Sequence, residues 1–349
     1  MTNKTGRGSY ANELKHIKLI VQKAFYLNPL LRPFFYPKIS ALYLELTNNC
    51  NLNCKMCTYK KEHEKFGYMS WALFTKYVRQ ASQLGVKELC LHFGGESLLH
   101  PKFEKYLRYA IYYRDNGRIE RVSWIDNGML FNRNIADLVV DLKVDGIGFS
   151  IDGIGPVNDK IRLGAKYSVI ERNIKYLLKK RGITGNPEVF LSMCSYGKTR
   201  EQLMDVYREW TPFVDRITLI PSVSSENTID NREIFLSDGK LAKPPVFCSF
   251  PFDVMAISWN GEVTGCCLDY SFKMKLGNAT ENSLKQIWRG PNYHALRKAV
   301  LANAFPVESP CYGCEFWKIN FEDKEEPILD ETATITYGYI YKSIRKKRD

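Results

Sequence analysis

Short apolar runs alternate with amphipathic stretches between Ile39 and Val223. Apolar runs bounded by turn residues are typical of buried strands, and apolar residues three and four positions apart predict helices. This alternation predicts an α/β fold with a parallel sheet, arranged as a partial (β/α)6 barrel rather than a closed eight-stranded one. The predicted strands are Ala41–Leu46, Glu88–Phe93, Arg121–Asp126, Gly146–Ile151, Val189–Met193 and Ile217–Ile220, and the predicted helices between them include Trp71–Leu84, Phe103–Tyr113 and Val169–Lys180.

The segments on either side of this region have different patterns. Before it, Leu14, Ile17 and Val21 recur at helical spacing among basic and aromatic residues, which predicts a helix. After it, Asn260-Gly261 lies between two short apolar runs and predicts a β-hairpin, with a helix further on. The predicted parts are a helical lead-in (1–38), the barrel (39–223), a connecting segment (224–246), a small C-terminal domain (247–318) and a mixed tail (319–349), whose basic end we expect to be frayed.

The composition narrows the class of protein. Ten cysteines occur without a recognisable secretory signal, which favours metal-binding thiols in a reducing, cytoplasmic location over a disulfide framework. No apolar run approaches the ~20 residues of a transmembrane helix. The net charge of +12 is spread along the chain without a basic stripe interleaved with aromatic residues. We therefore expect no nucleic-acid partner, and an anionic substrate is one remaining explanation of the charge.

A first cysteine group follows the first predicted strand. Cys50, Cys54 and Cys57 have the spacing C-x3-C-x2-C, and the asparagines among them favour a loop. Thiolates are the usual ligands of iron–sulfur clusters, and three of them leave one iron of a four-iron cluster open to a small molecule. Structural zinc, with His63 as a fourth ligand, is the alternative.

This loop resembles the signature segment of the radical S-adenosylmethionine (radical SAM) superfamily, whose pattern is C-x3-C-x-aromatic-C. Met56 stands where the family often has an aromatic residue next to adenine. The resemblance implies a site-differentiated 4Fe–4S cluster whose open iron chelates S-adenosylmethionine. It also implies an electron donor such as flavodoxin or ferredoxin, and a 5′-deoxyadenosyl radical that takes hydrogen from a substrate C–H bond.

Three further motifs follow later strands and resemble the same superfamily. Gly94-Gly95-Glu96 is implied to hold the amino group of S-adenosylmethionine. Asp126-Asn127-Gly128 resembles the family's Thr-Asn-Gly, and Ser150-Ile151-Asp152-Gly153 resembles its Ser-hydrophobic-Asp-Gly. Arg162, a little downstream, has the geometry to bind a carboxylate, with a solvated surface position as the alternative. The candidate cofactor-binding residues are Met56, Gly94, Gly95, Glu96, Asn127, Ser150, Asp152 and Arg162.

A second cysteine group lies in the C-terminal part of the chain. It consists of Cys248, Cys266, Cys311 and Cys314, and four thiolates would close a cluster completely. The group resembles the SPASM and twitch domains of the superfamily. Because no cysteine follows Cys314, we expect one auxiliary 4Fe–4S cluster, as in the shorter twitch form; zinc is again the alternative. Cys267 could replace Cys266 as the ligand, or could be the hydrogen donor of an epimerase.

The expected reaction depends on what the auxiliary cluster does. If it accepts an electron from the substrate radical, the product is oxidised, and we expect dehydrogenation of a small sugar-like or aminocyclitol substrate. Epimerisation of a similar substrate comes second. Peptide modification comes third, because we find no leader-binding module. Two non-enzymatic alternatives are a zinc-stabilised basic binding protein, which iron analysis and colour would distinguish, and an electron-transfer protein, which would not need the Gly94–Glu96 and Ser150–Asp152 motifs.

Overall fold

The structure is a computed structural model. It describes residues 28, 36–57, 59, 65–183, 185–195, 199–221, 248–312, 314, 326–327, 333–337 and 342–346. The predicted lead-in helix, the connecting segment 224–246 and His63 lie outside the described residues. The predicted domain boundaries stay predictions.

Six parallel strands form the centre of a twelve-stranded sheet and follow one another in chain order. Each pairs in parallel with the next. The sheet does not close on itself, because the two outermost of these strands pair with other segments. The predicted partial barrel is therefore confirmed. The six strands are β1 (Ala41–Leu44), β2 (Glu88–Cys90), β3 (Arg121–Asp126), β4 (Gly146–Ser150), β5 (Glu188–Ser195) and β6 (Arg216–Pro221).

Helices connect these strands, as parallel pairing requires. Two of them begin at side-chain caps: Ser70 accepts from the Leu73 N–H, and Asn132 accepts from the Ile135 N–H, which satisfies N–H groups that lack a helical partner. Of the helices in the described part of the chain, none has the length and apolar character needed to cross a bilayer. The helices of the barrel region are α1 (Trp71–Gln83), α2 (Phe103–Asp115), α3 (Arg133–Asp141), α4 (Pro156–Ile161), α5 (Tyr167–Arg181) and α6 (Thr199–Trp210).

The C-terminal region contains the predicted hairpin. Its two strands pair antiparallel across the Asn260-Gly261 turn, where Gly261 has a φ of +95° that favours glycine. The first strand of the hairpin also pairs in parallel with β1, so this region extends the barrel sheet instead of standing apart from it. Its elements are α7 (Phe250–Asp253), β7 (Val254–Ile257), β8 (Glu262–Thr264), β9 (Gly277–Asn278), α8 (Leu284–Arg289) and α9 (Pro291–Ala302).

The tail differs from the sequence-based expectation. Its three short strands are β10 (Glu326–Pro327), β11 (Ala333–Tyr337) and β12 (Lys342–Lys346). The expectation of a frayed basic end was wrong for Arg345 and Lys346, because both pair with β11, opposite Thr334 and Ala333. The earlier residues of β12 pair antiparallel with β6 and cover the edge that β6 would otherwise expose. Three strand ends were also predicted too late, since β1 ends at Leu44, β2 at Cys90 and β4 at Ser150.

The two faces of the central sheet have opposite character. The face covered by helices is apolar, with Leu89, Val122 and Leu191 fully buried in the main core. The opposite face carries charged residues near the amino ends of the strands. There Arg121 forms ion pairs with Glu88 at 3.1 Å and with Glu188 at 2.6 Å. Arg216 pairs with Glu188 at 2.6 Å, so these charges neutralise one another at one end of the sheet.

We predict that the Phe149→Ala variant loses about 3–5 kcal/mol of unfolding free energy, the usual cost of truncating a buried aromatic side chain. Phe149 is fully buried on β4, and its ring centre lies 4.9 Å from that of Phe131. Chemical denaturation under anaerobic conditions measures the change. Tyr112→Ala is the control, because that side chain is 61% exposed. Equal denaturation midpoints for the two variants would contradict the assigned core.

Candidate active site

The first cysteine group lies on the loop after β1, at the carboxyl edge of the sheet. The loop is fixed by backbone hydrogen bonds from Asn53 N–H to Leu163 C=O (2.8 Å) and from Lys55 N–H to Ile161 C=O (2.9 Å). Met56 is half-buried beside the thiols. Burial, together with the charges of the nearby Glu96, Cys54 and Cys57, raises the pKa of Cys50 to about 11. The three predicted thiols are therefore neighbours in a poorly solvated place.

The Gly94-Gly95-Glu96 segment packs directly against this loop. A Cβ on Gly95 would lie 2.2 Å from the Thr47 carbonyl oxygen and 2.6 Å from that of Asn49, so only glycine allows this approach. The Glu96 N–H donates to the Asn49 carbonyl at 2.7 Å. The segment after β2 is thus in direct contact with the loop after β1, at the edge of the sheet where the sequence predicted the two motifs.

The Glu96 carboxyl group is buried next to a second acid. It accepts hydrogen bonds from the N–H groups of Leu98 (3.1 Å) and Asn127 (2.9 Å). Burial, followed by the charge of Asp126, raises the pKa of Glu96 well above its usual range. In the described part of the chain, the groups that act most strongly on Glu96 include no cation. This pair of acids offers hydrogen-bond acceptors for the N–H groups of an amino group.

Asn127 connects the end of β3 to the cysteine loop. Its side-chain amide donates to the Asn51 side-chain oxygen at 2.7 Å. Asp126, which takes the place of the family's threonine, accepts from the Gly128 N–H at 2.7 Å and from the Trp124 indole at 3.2 Å. The departure from the family pattern therefore retains a hydrogen-bonded turn at this edge.

Asp152 and Arg162 form a buried ion pair below the cysteine loop. The Arg162 Nε lies 2.7 Å from Asp152 Oδ2, and Arg162 Nη1 lies 3.9 Å from the Cys54 sulfur. Asp152 also accepts from the Cys194 N–H at 2.6 Å. The Arg162 side chain is only 11% exposed, which excludes the surface alternative. Ser150 is half-buried at the end of β4, on the same edge.

The second cysteine group also comes together. Burial raises the pKa of Cys248, and the nearby thiols of Cys311, Cys314 and Cys267 add to this rise. The pKa of Cys266 is raised by burial and by the thiols of Cys267, Cys248 and Cys311. The Cys314 N–H donates to the Cys311 carbonyl at 3.2 Å. Cys267 is 5% exposed and packs in a small apolar cluster with Phe93 and Phe272. Whether Cys266 or Cys267 is the cluster ligand stays a prediction.

Both cysteine groups fit four-iron clusters by donor chemistry. Among the described residues, no three His, Cys, Asp or Glu side chains converge as ligands of a single metal ion. Cubane thiolates bind different irons and need no such common point. The first group offers three thiols beside a cation-free acid pair, and the second offers four or five thiols. The residues therefore fit one cluster with an open iron and one closed cluster.

Three residues near these groups were missed by the sequence reasoning. Glu45 follows β1 and is 1% exposed, while Tyr59 is 2% exposed. Tyr270 lies with its ring centre 5.4 Å from that of Phe93 and 6.3 Å from that of Tyr59. Glu45 could have been noticed, because it is the charged residue within the apolar run that was predicted as the first strand. For the two tyrosines the sequence carries no comparable signal.

Comparisons with known proteins agree with this arrangement. A family model described as "Radical SAM superfamily" matches residues 44–209, and one described as "Iron-sulfur cluster-binding domain" (SPASM) matches residues 248–315. These two domains carry a 4Fe–4S cluster and an auxiliary cluster.

Individual relatives are distant but span most of the chain. The tungsten-containing aldehyde ferredoxin oxidoreductase cofactor-modifying protein of Pyrococcus furiosus is 25% identical over 79% of this chain and 89% of its own length. The S-adenosyl-L-methionine-dependent 2-deoxy-scyllo-inosamine dehydrogenase of Niallia circulans is 19% identical over 83% and 98%. The structure of Streptococcus suis SuiB bound to precursor peptide SuiA superposes with a TM-score of 0.62 at 15% identity, over 91% of this chain and 78% of SuiB, which shows a common fold.

We predict that the two cysteine groups hold separate clusters. Replacing Cys311 and Cys314 by Ala should remove about four iron atoms per chain, one cluster's worth, and replacing Cys50, Cys54 and Cys57 should remove the other. Iron analysis and electron paramagnetic resonance of anaerobically reconstituted protein measure this. Cys90→Ala is the control, because Cys90 is a buried thiol on β2 that belongs to neither cysteine group. Unchanged iron in either variant would remove that cluster from the account.

Proposed function

Because the chain is a member of the radical SAM superfamily with a C-terminal SPASM domain, we propose that it oxidises a C–H(OH) carbon of a small, hydroxyl-bearing substrate such as a sugar or an aminocyclitol. The observation that carries this proposal is the position of Tyr270 between the two cysteine groups. After burial, the thiols of Cys267, Cys194, Cys57 and Cys266 contribute to the raised pKa of Tyr270. A substrate at this place would lie close to both clusters.

Within this scheme the first site holds S-adenosylmethionine. We assign its amino group to Gly94–Glu96, where the acid pair can accept from its N–H groups, and its carboxylate to the side of Ser150 and Arg162. Met56 is assigned to the adenine. The residues of the first site would hold the cofactors that supply a 5′-deoxyadenosyl radical, which would take one hydrogen atom from the substrate. The second cysteine group would hold the auxiliary cluster, which would supply an acceptor for the remaining electron as the hydroxyl proton leaves.

The sheet face opposite the helices carries uncharged polar side chains, which suit a polar substrate. His92 lies there two residues after Cys90, and burial lowers the pKa of His92 to about 4, so its ring is neutral at pH 7. Its Nδ1 atom is buried and has no hydrogen-bond partner in the described structure. Ser192 and Thr218 are buried on the same face. Neutral donors and acceptors of this kind suit hydroxyl groups.

The charges of this face do not favour a phosphate-bearing substrate. Arg121 and Arg216 are paired with Glu88 and Glu188, and Arg162 is paired with Asp152. These described cations are already neutralised, so the anionic option loses its support. The dehydrogenase from Niallia circulans, which the chain matches over most of its length, supports the choice of an aminocyclitol-like substrate.

Epimerisation is the second candidate because thiols border the same space. Cys267 is buried next to Phe93 and Phe272, and Cys194 lies at the end of β5 within electrostatic reach of Arg162 and Tyr270. A thiol on the far side of the substrate could return a hydrogen atom. Either reaction requires an electron donor, for which flavodoxin or ferredoxin in the cytoplasm is our proposal.

We predict that carbon-deuterated polyols or aminocyclitols, incubated anaerobically with the protein, S-adenosylmethionine and dithionite, transfer deuterium into 5′-deoxyadenosine. The Cys50→Ala/Cys54→Ala/Cys57→Ala variant should form none. Mass spectrometry of the product separates the two reactions. With the unlabelled substrate, oxidation gives a product that lacks two hydrogen atoms, whereas epimerisation in D2O gives a product that has gained one deuterium from the solvent and requires Cys267 or Cys194. Normal 5′-deoxyadenosine formation by the triple variant would contradict the proposal.

A further inference from the structure

The side chain of Glu45 is a buried carboxyl group that accepts hydrogen bonds from three separate segments. Its Oε1 accepts from the Gly94 N–H at 3.3 Å and from the Tyr59 hydroxyl, and its Oε2 accepts from the Trp259 N–H at 3.2 Å. Gly94 follows β2, Tyr59 follows the cysteine loop, and Trp259 lies in the turn between β7 and β8. One side chain therefore connects both domains to the loop that carries the first cysteine group.

The Tyr59 ring is held in a narrow place by these contacts. A Cβ on Gly94 would lie 2.0 Å from Tyr59 Cε2, so the ring rests on the Gly94 backbone. The Tyr59 ring also meets the Tyr270 ring edge to face. Trp259 is similarly close to Gly67, where a Cβ would lie 2.2 Å from the Trp259 ring, and the Gly67 carbonyl accepts from the Thr47 hydroxyl at 2.7 Å.

We propose that Glu45 is a positioning residue for S-adenosylmethionine, which holds Tyr59 on Gly94 and fixes the Gly94–Glu96 segment relative to the turn of the C-terminal domain. The inference rests on the proposed role of Gly94–Glu96 at the amino group. Glu45 acts through Tyr59 and through the Gly94 N–H. Its effect is therefore expected in cofactor affinity rather than in cluster assembly.

The chemistry of the carboxylate explains why an amide cannot replace it. A carboxylate accepts at both oxygens, whereas a glutamine offers one oxygen and one NH2 donor. In the Glu45→Gln variant, the NH2 group must face the N–H of either Gly94 or Trp259. One buried backbone donor then loses its partner, and an unsatisfied buried donor is costly. The segment that carries Gly94 would shift to relieve this conflict.

The test is the KM for S-adenosylmethionine in dithionite-driven cleavage without substrate, which needs no knowledge of the substrate. For Glu45→Gln we expect KM to rise roughly tenfold, from the loss of one buried hydrogen bond, with unchanged iron content. Tyr59→Phe, which removes the hydroxyl but keeps the ring, should raise KM similarly. The double variant should show less than the product of the two effects, because both changes break one interaction.

Asp145→Asn is the matched control. Asp145 also accepts from a backbone N–H, that of Val122 at 2.9 Å, and from Arg114 at 3.0 Å, but it lies at the amino ends of the strands. The KM of the Asp145→Asn variant for S-adenosylmethionine should equal that of the wild type.

The outcomes separate this inference from the proposed function. If the wild type forms no 5′-deoxyadenosine, the proposed function fails. If the wild type is active and Glu45→Gln has the KM of Asp145→Asn, the positioning role is overturned. If Glu45→Gln loses iron or unfolds, Tyr59→Phe decides, because an unchanged KM in that variant also overturns the role.

Discussion

The arrangement of the whole site depends on one close backbone contact, that between Gly95 and the loop after β1. The carbonyls of Thr47 and Asn49 occupy the space of a missing side chain, and the Asn49 carbonyl accepts from the Glu96 N–H. Parallel pairing brings the strand ends to one edge, and this contact then sets the distance between the thiols and the buried acids. Any side chain at position 95 would separate them.

The second constraint is the pairing of β7 with β1. Because hydrogen-bonded strands lie ~4.8 Å apart, the C-terminal domain has a fixed position on the barrel sheet and is not free on a linker. This pairing brings Tyr270 within electrostatic reach of thiols from both cysteine groups. The relation between the two cluster sites is therefore a property of the sheet, and Glu45 adds a side-chain contact across the same boundary.

Local patterns predicted much of this structure. The six parallel strands were predictable because each is a short apolar run, and the hairpin because of Asn260-Gly261. The cysteine groups were recognisable by spacing alone. In contrast, the pairings of β7 with β1 and of β12 with β6 join segments far apart in the chain, and the short strands carry no sign of their partners. The contact of Tyr59 with Gly94 was equally hidden, since it depends on packing between loops.

The central claim is that the three-cysteine cluster keeps one iron open for S-adenosylmethionine. The most direct test is electron–nuclear double resonance on the reduced Cys311→Ala/Cys314→Ala variant, with S-adenosylmethionine labelled with 15N at its amino group. We expect a hyperfine coupling from the labelled nitrogen to the cluster, which would show that the amino group binds iron. A reduced cluster whose spectrum is unchanged by the labelled compound would contradict the account.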